Sequence, residues 1–132
     1  MSPRSVVLDA SAFVELLIGG PASRWIGEQL RDRHLTGPAH VHAEVLSALG
    51  RRHRSGTSTV SGIEEGLRRM VETEADTYPL PQLLLGAWHR RDRLRLADAL
   101  YVELAAQLDT VVVTTDRRLA RATPLAVAPP EE

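Results

Sequence analysis

The sequence predicts an α/β protein folded as one domain around a mainly parallel sheet of about five strands. Three observations predict it. Short apolar runs of strand character alternate with segments of helical periodicity, the pattern of a sheet covered by crossover helices. The two clearest runs, Ser5–Leu8 and Thr110–Thr114, are rich in valine and lie near opposite ends of the chain. At 132 residues, the chain suits a single unit that can bury a core without staples. Residues 1–132 are therefore read as one domain, with 128–132 as a flexible tail.

Composition narrows the class. Apolar residues make up 43% of the chain and charged residues 25%, as in an ordinary globular protein. The lack of cysteine excludes disulfides and thiolate metal sites and suits a reducing compartment, so a cytoplasmic location is expected. The longest apolar runs, such as Leu83–Trp88 and Val111–Val113, are far too short to span a bilayer. Met1–Leu8 does not read as a secretory signal. Net charge is −1, which argues against binding nucleic acid through overall charge. Its distribution says more. All sixteen basic residues other than histidine are arginines, and ten of them fall in three clusters: 51, 52 and 54; 90, 91, 93 and 95; and 117, 118 and 121. Such runs are ordinarily solvated helix faces.

In order along the chain, Ser5–Leu8 reads as a buried strand ending at Asp9. Ser11 is placed to cap a helix from Ala12 to Ile18, which Gly19-Gly20-Pro21 closes. A second helix over about 22–32 carries Trp25, Ile26 and Leu30 inward. Leu35-Thr36-Gly37 is a marginal strand. The spacing of Val41, Val45 and Leu49 predicts a helix from His40 to His53, and Ser55-Gly56-Thr57 breaks it. Another helix is expected over Val60–Glu74, then a short strand at Thr77–Leu80. Pro81 opens a helix to about Arg93, with Leu96–Leu108 as the next. The strand Thr110–Thr114, a short helix Arg117–Arg121 and an edge strand Leu125–Val127 complete the chain. The apolar Pro81–Leu85 stretch suits either an interface or a core helix.

Two strands run into aspartates, and ligands of open parallel sheets bind beyond the carboxyl ends of the strands. If β-runs 6–8 and 111–113 are parallel neighbours, Asp9 and Asp116 emerge on one edge. Each could equally be a helix N-cap. On a helical wheel, Asp98 falls among Leu94, Val102 and Ala105, with Glu103 and Gln107 opposite. An unpaired charge there would cost several kcal/mol, so it needs a cation or a partner. The plainer alternative is an ion pair with Arg91. Glu44 lies on a stripe with His40, Ser47, Ala48 and Arg51 and, alone, reads as solvent-exposed.

The set points further than its members. Carboxylates about 5 Å apart repel by roughly 3 kcal/mol at an effective dielectric near 20. A cluster of four must therefore raise its own pKa values or recruit a hard cation, and oxygen-only ligands favour Mg²⁺ or Mn²⁺ over zinc. Such an ion can activate water against a phosphodiester and neutralise the leaving oxygen. Each arginine cluster closely follows or precedes one of these acids, a positive rim suited to a nucleic-acid backbone. Three rival readings stand beside this one. His40 and Glu44, one helical turn apart, could hold a transition metal, although no HExxH pattern or third ligand accompanies them. The acids could hold a structural cation or pair with arginines in a non-catalytic module that binds nucleic acid or protein. A phosphatase-type reaction with Asp9 as nucleophile would want a second acid where Ser11 stands. No GxxxxGK loop or GxSxG elbow is present.

Val7-Leu8-Asp9-Ala10-Ser11-Ala12, Ala43-Glu44-Val45, Leu96-Ala97-Asp98-Ala99 and Val113-Thr114-Thr115-Asp116 resemble, in order and spacing, the motifs of PIN-domain proteins. The resemblance covers essentially the whole chain, and the compact length is similar to VapC-type toxins of bacterial toxin–antitoxin pairs. It implies a three-layer α/β/α fold and cleavage of RNA dependent on one or two Mg²⁺ or Mn²⁺ ions. It also implies Asp9, Glu44, Asp98 and Asp116 as the catalytic acids, of which Asp9, Asp98 and Asp116 hold metal. Ser11 and Thr114 match supporting hydroxyl positions. Arg51, Arg91, Arg95 and Arg117 become the candidate substrate contacts. A cognate antitoxin protein and a homodimer are the implied partners. The sequence departs from some relatives where Arg117-Arg118 follow Asp116 in place of a further acid, which bears on how many ions are held.

Overall fold

The computed structural model describes residues 4–131. A five-stranded sheet, ordered β3-β2-β1-β4-β5 and parallel throughout, forms the middle of three layers. Its strands are β1 (Arg4–Leu8), β2 (Arg33–Pro38), β3 (Asp76–Tyr78), β4 (Val112–Val113) and β5 (Ala126–Val127). Helices α1 (Ala10–Ile18), α2 (Ser23–Leu30), α3 (Val41–Arg54) and α4 (Val60–Glu72) pack on one another. Helix α5 (Leu84–Trp88) packs on α6 (Leu96–Gln107), which lies against β1, β2 and β4, and α7 (Arg117–Ala122) packs on β5.

Strand β1 is central and fully buried from Val6 to Leu8, so it reads as a continuous apolar run rather than an alternating one. It lies between β2 and β4, and the chain builds outward on one side before crossing to the other. The carboxyl ends of β1 and β4 therefore flank the point where strand order reverses, the usual ligand crevice of such a sheet. Tyr101, Phe13, Leu8 and Ile26 are the largest of the fully buried side chains.

Several expectations are revised. The strand expected to be marginal is a six-residue inner strand, secured by the buried Thr36 hydroxyl donating to the Val6 carbonyl at 2.8 Å. The helix expected from Pro81 to Arg93 is instead a 3₁₀ turn over Leu80–Leu83 followed by the five-residue α5. The run His89–Arg93 has no apolar stripe to dock, and its amides make i−3 turn bonds such as Arg90 N to Ala87 O and Arg91 N to Trp88 O. Strand β4 is shorter than Thr110–Thr114, and before its start the Thr110 hydroxyl donates to the Ser5 carbonyl of β1 at 2.7 Å. Helix α2 stops at Leu30, since Asp32 adopts a left-handed φ of 58° that reverses the chain into β2. Asp9, not Ser11, caps α1: its side chain accepts from the Ala12 amide. The side of α6 opposite Asp98 is not free, because Glu103 there receives Arg90 Nη2 at 3.1 Å and the Gln107 amide at 2.8 Å.

Tail residues Pro130 and Glu131 lie beside Arg117. None of the described helices is long and apolar enough to cross a membrane.

Candidate active site

The four acids line one open cavity of about 630 Å³ at the carboxyl edge of the sheet. Each arrives by a different route. Asp9 ends β1 and caps α1, and Asp116 follows β4 and caps α7 by accepting from the Arg118 amide at 2.9 Å. The two aspartates therefore cap helices and line the shared cavity at the same time. Glu44 stands in the first turn of α3 and Asp98 in the first turn of α6. All four thus sit at helix N-termini, where partial positive charge favours carboxylates.

Asp9 is the deepest, at 6% exposure. Its Oδ1 accepts from the Ser11 hydroxyl at 2.7 Å and from the Ala12 amide at 3.0 Å. Burial pushes its pKa above the ordinary aspartate range, against the hydroxyls of Thr114 and Ser11 and the Ala12 amide, and the charge of Asp98 adds to the rise. Ser11 also accepts from the Thr115 amide and lies 3.3 Å from the Thr114 hydroxyl, which in turn accepts from the Asp116 amide at 3.0 Å. The two hydroxyls thus tie the ends of β1 and β4 together.

Asp98 is half-buried, and its pKa too is raised, by desolvation first and by the charges of Asp116 and Glu44, with Arg95 opposing. Its ion pair is with Arg95, Nε to Oδ2 at 3.6 Å, and not with Arg91. Arg91 instead stacks over Trp88, 4.5 Å from the ring centroid.

Glu44 is not the solvated residue its stripe suggests. Tyr101 donates its hydroxyl to Oε1 at 2.6 Å, and His40 Nε2 lies 3.3 Å from the same oxygen. That histidine contact is not a hydrogen bond, and both ring nitrogens of His40 are buried without a hydrogen-bond partner among the described residues. Burial pushes the Glu44 carboxyl up, but the contacts from His40 and Tyr101 together outweigh it and hold the pKa below the ordinary range.

Of the candidate substrate arginines, the fold brings Arg51 and Arg95 to the cavity wall. It does not bring Arg91, which is on Trp88, or Arg117, which lies against the tail. Arg52 takes their place on the wall, its Nε donating to Ser58 Oγ at 2.9 Å. Sequence reasoning also missed Tyr101. Its place three residues after Asp98, on the same helix face, was the available signal.

A scan against family models matches the PIN domain over residues 6–124. The chain belongs to the PIN-domain family. Within it the chain is of the VapC type: it is 47% identical over 127 residues to Ribonuclease VapC3 of Mycobacterium tuberculosis, covering 96% of this chain and 93% of that one. Among solved structures, PAE2754 from Pyrobaculum aerophilum superposes with a TM-score of 0.69 at 26% identity, over 96% of this chain and 84% of the other. A toxin–antitoxin complex from Klebsiella pneumoniae shares the fold at a TM-score of 0.62 and 16% identity, covering 97% of this chain and all of its counterpart. The ribonuclease relative and the family together place this PIN domain among the nuclease hydrolases.

The fit of the site to a divalent cation can be tested on the side chains themselves. Among the described residues, no three acids or histidines converge tightly enough to hold an ion as they stand. The donor chemistry nevertheless suits a hard cation. Asp9 is a buried carboxylate whose surroundings supply hydroxyls, an amide and a further negative charge, and it forms no ion pair among the described residues. Among the described residues, the ion pairs of Asp98 and Asp116 are with the exposed Arg95 and Arg118, each at 3.6 Å. Contacts of that length at the surface are weak, which leaves Asp98 free to turn inward; in Asp116, Oδ1 is held by the Arg118 amide and Oδ2 is available.

Proposed function

We propose that this PIN domain is a Mg²⁺- or Mn²⁺-dependent endoribonuclease that hydrolyses RNA phosphodiester bonds and acts as the toxin of a toxin–antitoxin pair. The observation that carries the reading is that Asp9, Glu44, Asp98 and Asp116 line one cavity, with the buried Asp9 in no ion pair among the described residues. Asp9, Asp98 and Asp116 would hold one or two ions, with Asp98 turning away from Arg95 and Asp116 offering the oxygen not used in its helix cap. An ion bound there supplies Lewis acidity and makes water nucleophilic at neutral pH.

The protein's own groups supply the rest. Glu44, kept ionised by its neighbours, accepts a proton from the attacking water. Ser11 and Thr114 fix Asp9 and the Asp116 loop in register. Arg51, Arg52 and Arg95 on the wall receive the RNA backbone, where contacts to phosphate position the strand without reading its bases. The partner is a cognate antitoxin protein that occludes this cavity, as the VapC relationship and the complex from Klebsiella pneumoniae suggest, and the active species is a homodimer in the cytoplasm.

The test is cleavage of a structured RNA by purified protein with Mg²⁺, with Mn²⁺ and with EDTA, beside Asp9→Asn. Cutting that requires the ion and disappears in the folded variant supports the reading. Cleavage by Asp9→Asn at the wild-type rate contradicts it.

A further inference from the structure

Glu44 is the one acid of the site whose position is set by a tyrosine. The Tyr101 hydroxyl, on α6, donates to Glu44 Oε1 on α3 across 2.6 Å. His40, one turn before Glu44, brings Nε2 to within 3.3 Å of the same Oε1 and sets its ring 4.9 Å from that of Tyr101 at a tilt of 50°. Both polar contacts fall on one oxygen, and Oε2 accepts no hydrogen bond among the described residues. The tyrosine ring is 1% exposed and the His40 side chain 16%. A carboxylate at the end of two freely rotating methylenes is thereby pinned at one oxygen against a buried wall. The short bond to an ionised acceptor is of the strong, charge-assisted kind. Tyr101 also stands one turn after Asp98 on α6, so the same helix sets both acids.

We infer that Tyr101 is a positioning residue for the cleavage reaction: its hydroxyl holds Glu44 Oε1 so that Oε2 faces the attacking water. The inference rests on the role given to Glu44 above. In this role the phenol acts through Glu44. Catalysis falls steeply with small displacements of a proton-accepting group, so removing the hydroxyl should slow the chemical step without weakening substrate binding.

The experiment is a double-mutant cycle with Tyr101→Phe and Glu44→Gln on the full chain, measured as single-turnover cleavage with enzyme in excess, which resolves slow rates. Rates are expressed per folded molecule from the unfolding enthalpy of the same preparation, so partial unfolding cannot mimic a loss. The expected result is a fall of about tenfold or more in the rate for Tyr101→Phe, the loss of a bond to a charged group, with KM changed by less than about twofold. In the Glu44→Gln background, the same change should have almost no further effect. A Tyr101→Phe rate equal to wild type, or an equal fall in both backgrounds, overturns the inference. Wild-type cleavage by Glu44→Gln would instead overturn the role of Glu44 itself.

Discussion

Replacing Ser11 by alanine tests how the site is held together. The hydroxyl donates to Asp9 Oδ1 at 2.7 Å, accepts from the Thr115 amide at 3.1 Å and lies 3.3 Å from Thr114 Oγ1. A hydrogen bond to a charged acceptor contributes about 1.5–3 kcal/mol and a neutral one about 1. Ser11 is only half-buried, so water replaces part of what is lost, and the low end of each range applies. Alanine also gains roughly 0.5 kcal/mol of helix propensity within α1. The net expected loss is about 2 kcal/mol at neutral pH, read from urea denaturation in EDTA with an unchanged m-value. The pH dependence has a definite sign. Asp9 already has a raised folded pKa, and removing a donor to its ionised form raises it further. A raised carboxyl makes the fold less stable as pH climbs from the unfolded value through the folded one. The deficit of Ser11→Ala should therefore grow as pH rises above the ordinary aspartate range. A loss below about 0.5 kcal/mol, or one that shrinks as pH rises, would refute this account of the Asp9–Ser11 pair.

Two other substitutions separate charge from structure. Asp98→Asn should abolish cleavage yet leave the metal-free protein as stable as wild type or more so near neutral pH. Desolvation and the charges of Asp116 and Glu44 penalise ionised Asp98, so any advantage fades as pH falls to the ordinary aspartate range; a loss of a few kcal/mol by urea denaturation would mean a structural ion pair instead. Arg52→Ala should raise KM while sparing kcat and lower the slope of log affinity against log salt by about 0.7, one single-strand phosphate contact; an unchanged salt slope would remove Arg52 from the RNA path.

Much of this fold is legible because its strongest signals are local. Val6–Leu8 and Val112–Val113 are fully buried and so appear as unbroken apolar runs. The helix at Val41, Val45 and Leu49 shows its core face by spacing alone. The two strand-ending aspartates follow from the rule for parallel sheets. The arginines show the limit of sequence reasoning. Arg51 and Arg95 reach the cavity, whereas Arg91 and Arg117, equally close to a site acid in sequence, turn to Trp88 and to the tail. Side-chain direction over a turn of helix decides that, and residue spacing does not carry it. Glu44 reads as solvated because the tyrosine that captures it is 57 residues away in sequence. Thr36 makes an inner strand look marginal, because the Val6 carbonyl that its hydroxyl reaches belongs to a neighbouring strand.

The central claim, that Asp9, Asp98 and Asp116 form a divalent-cation site, is tested most directly by titrating Mn²⁺ into the metal-free protein by calorimetry, beside Asp9→Asn. Saturable binding to the wild type and its loss in the folded Asp9→Asn variant are the results this account predicts. Equal Mn²⁺ affinity in both proteins, or none in either, would contradict it.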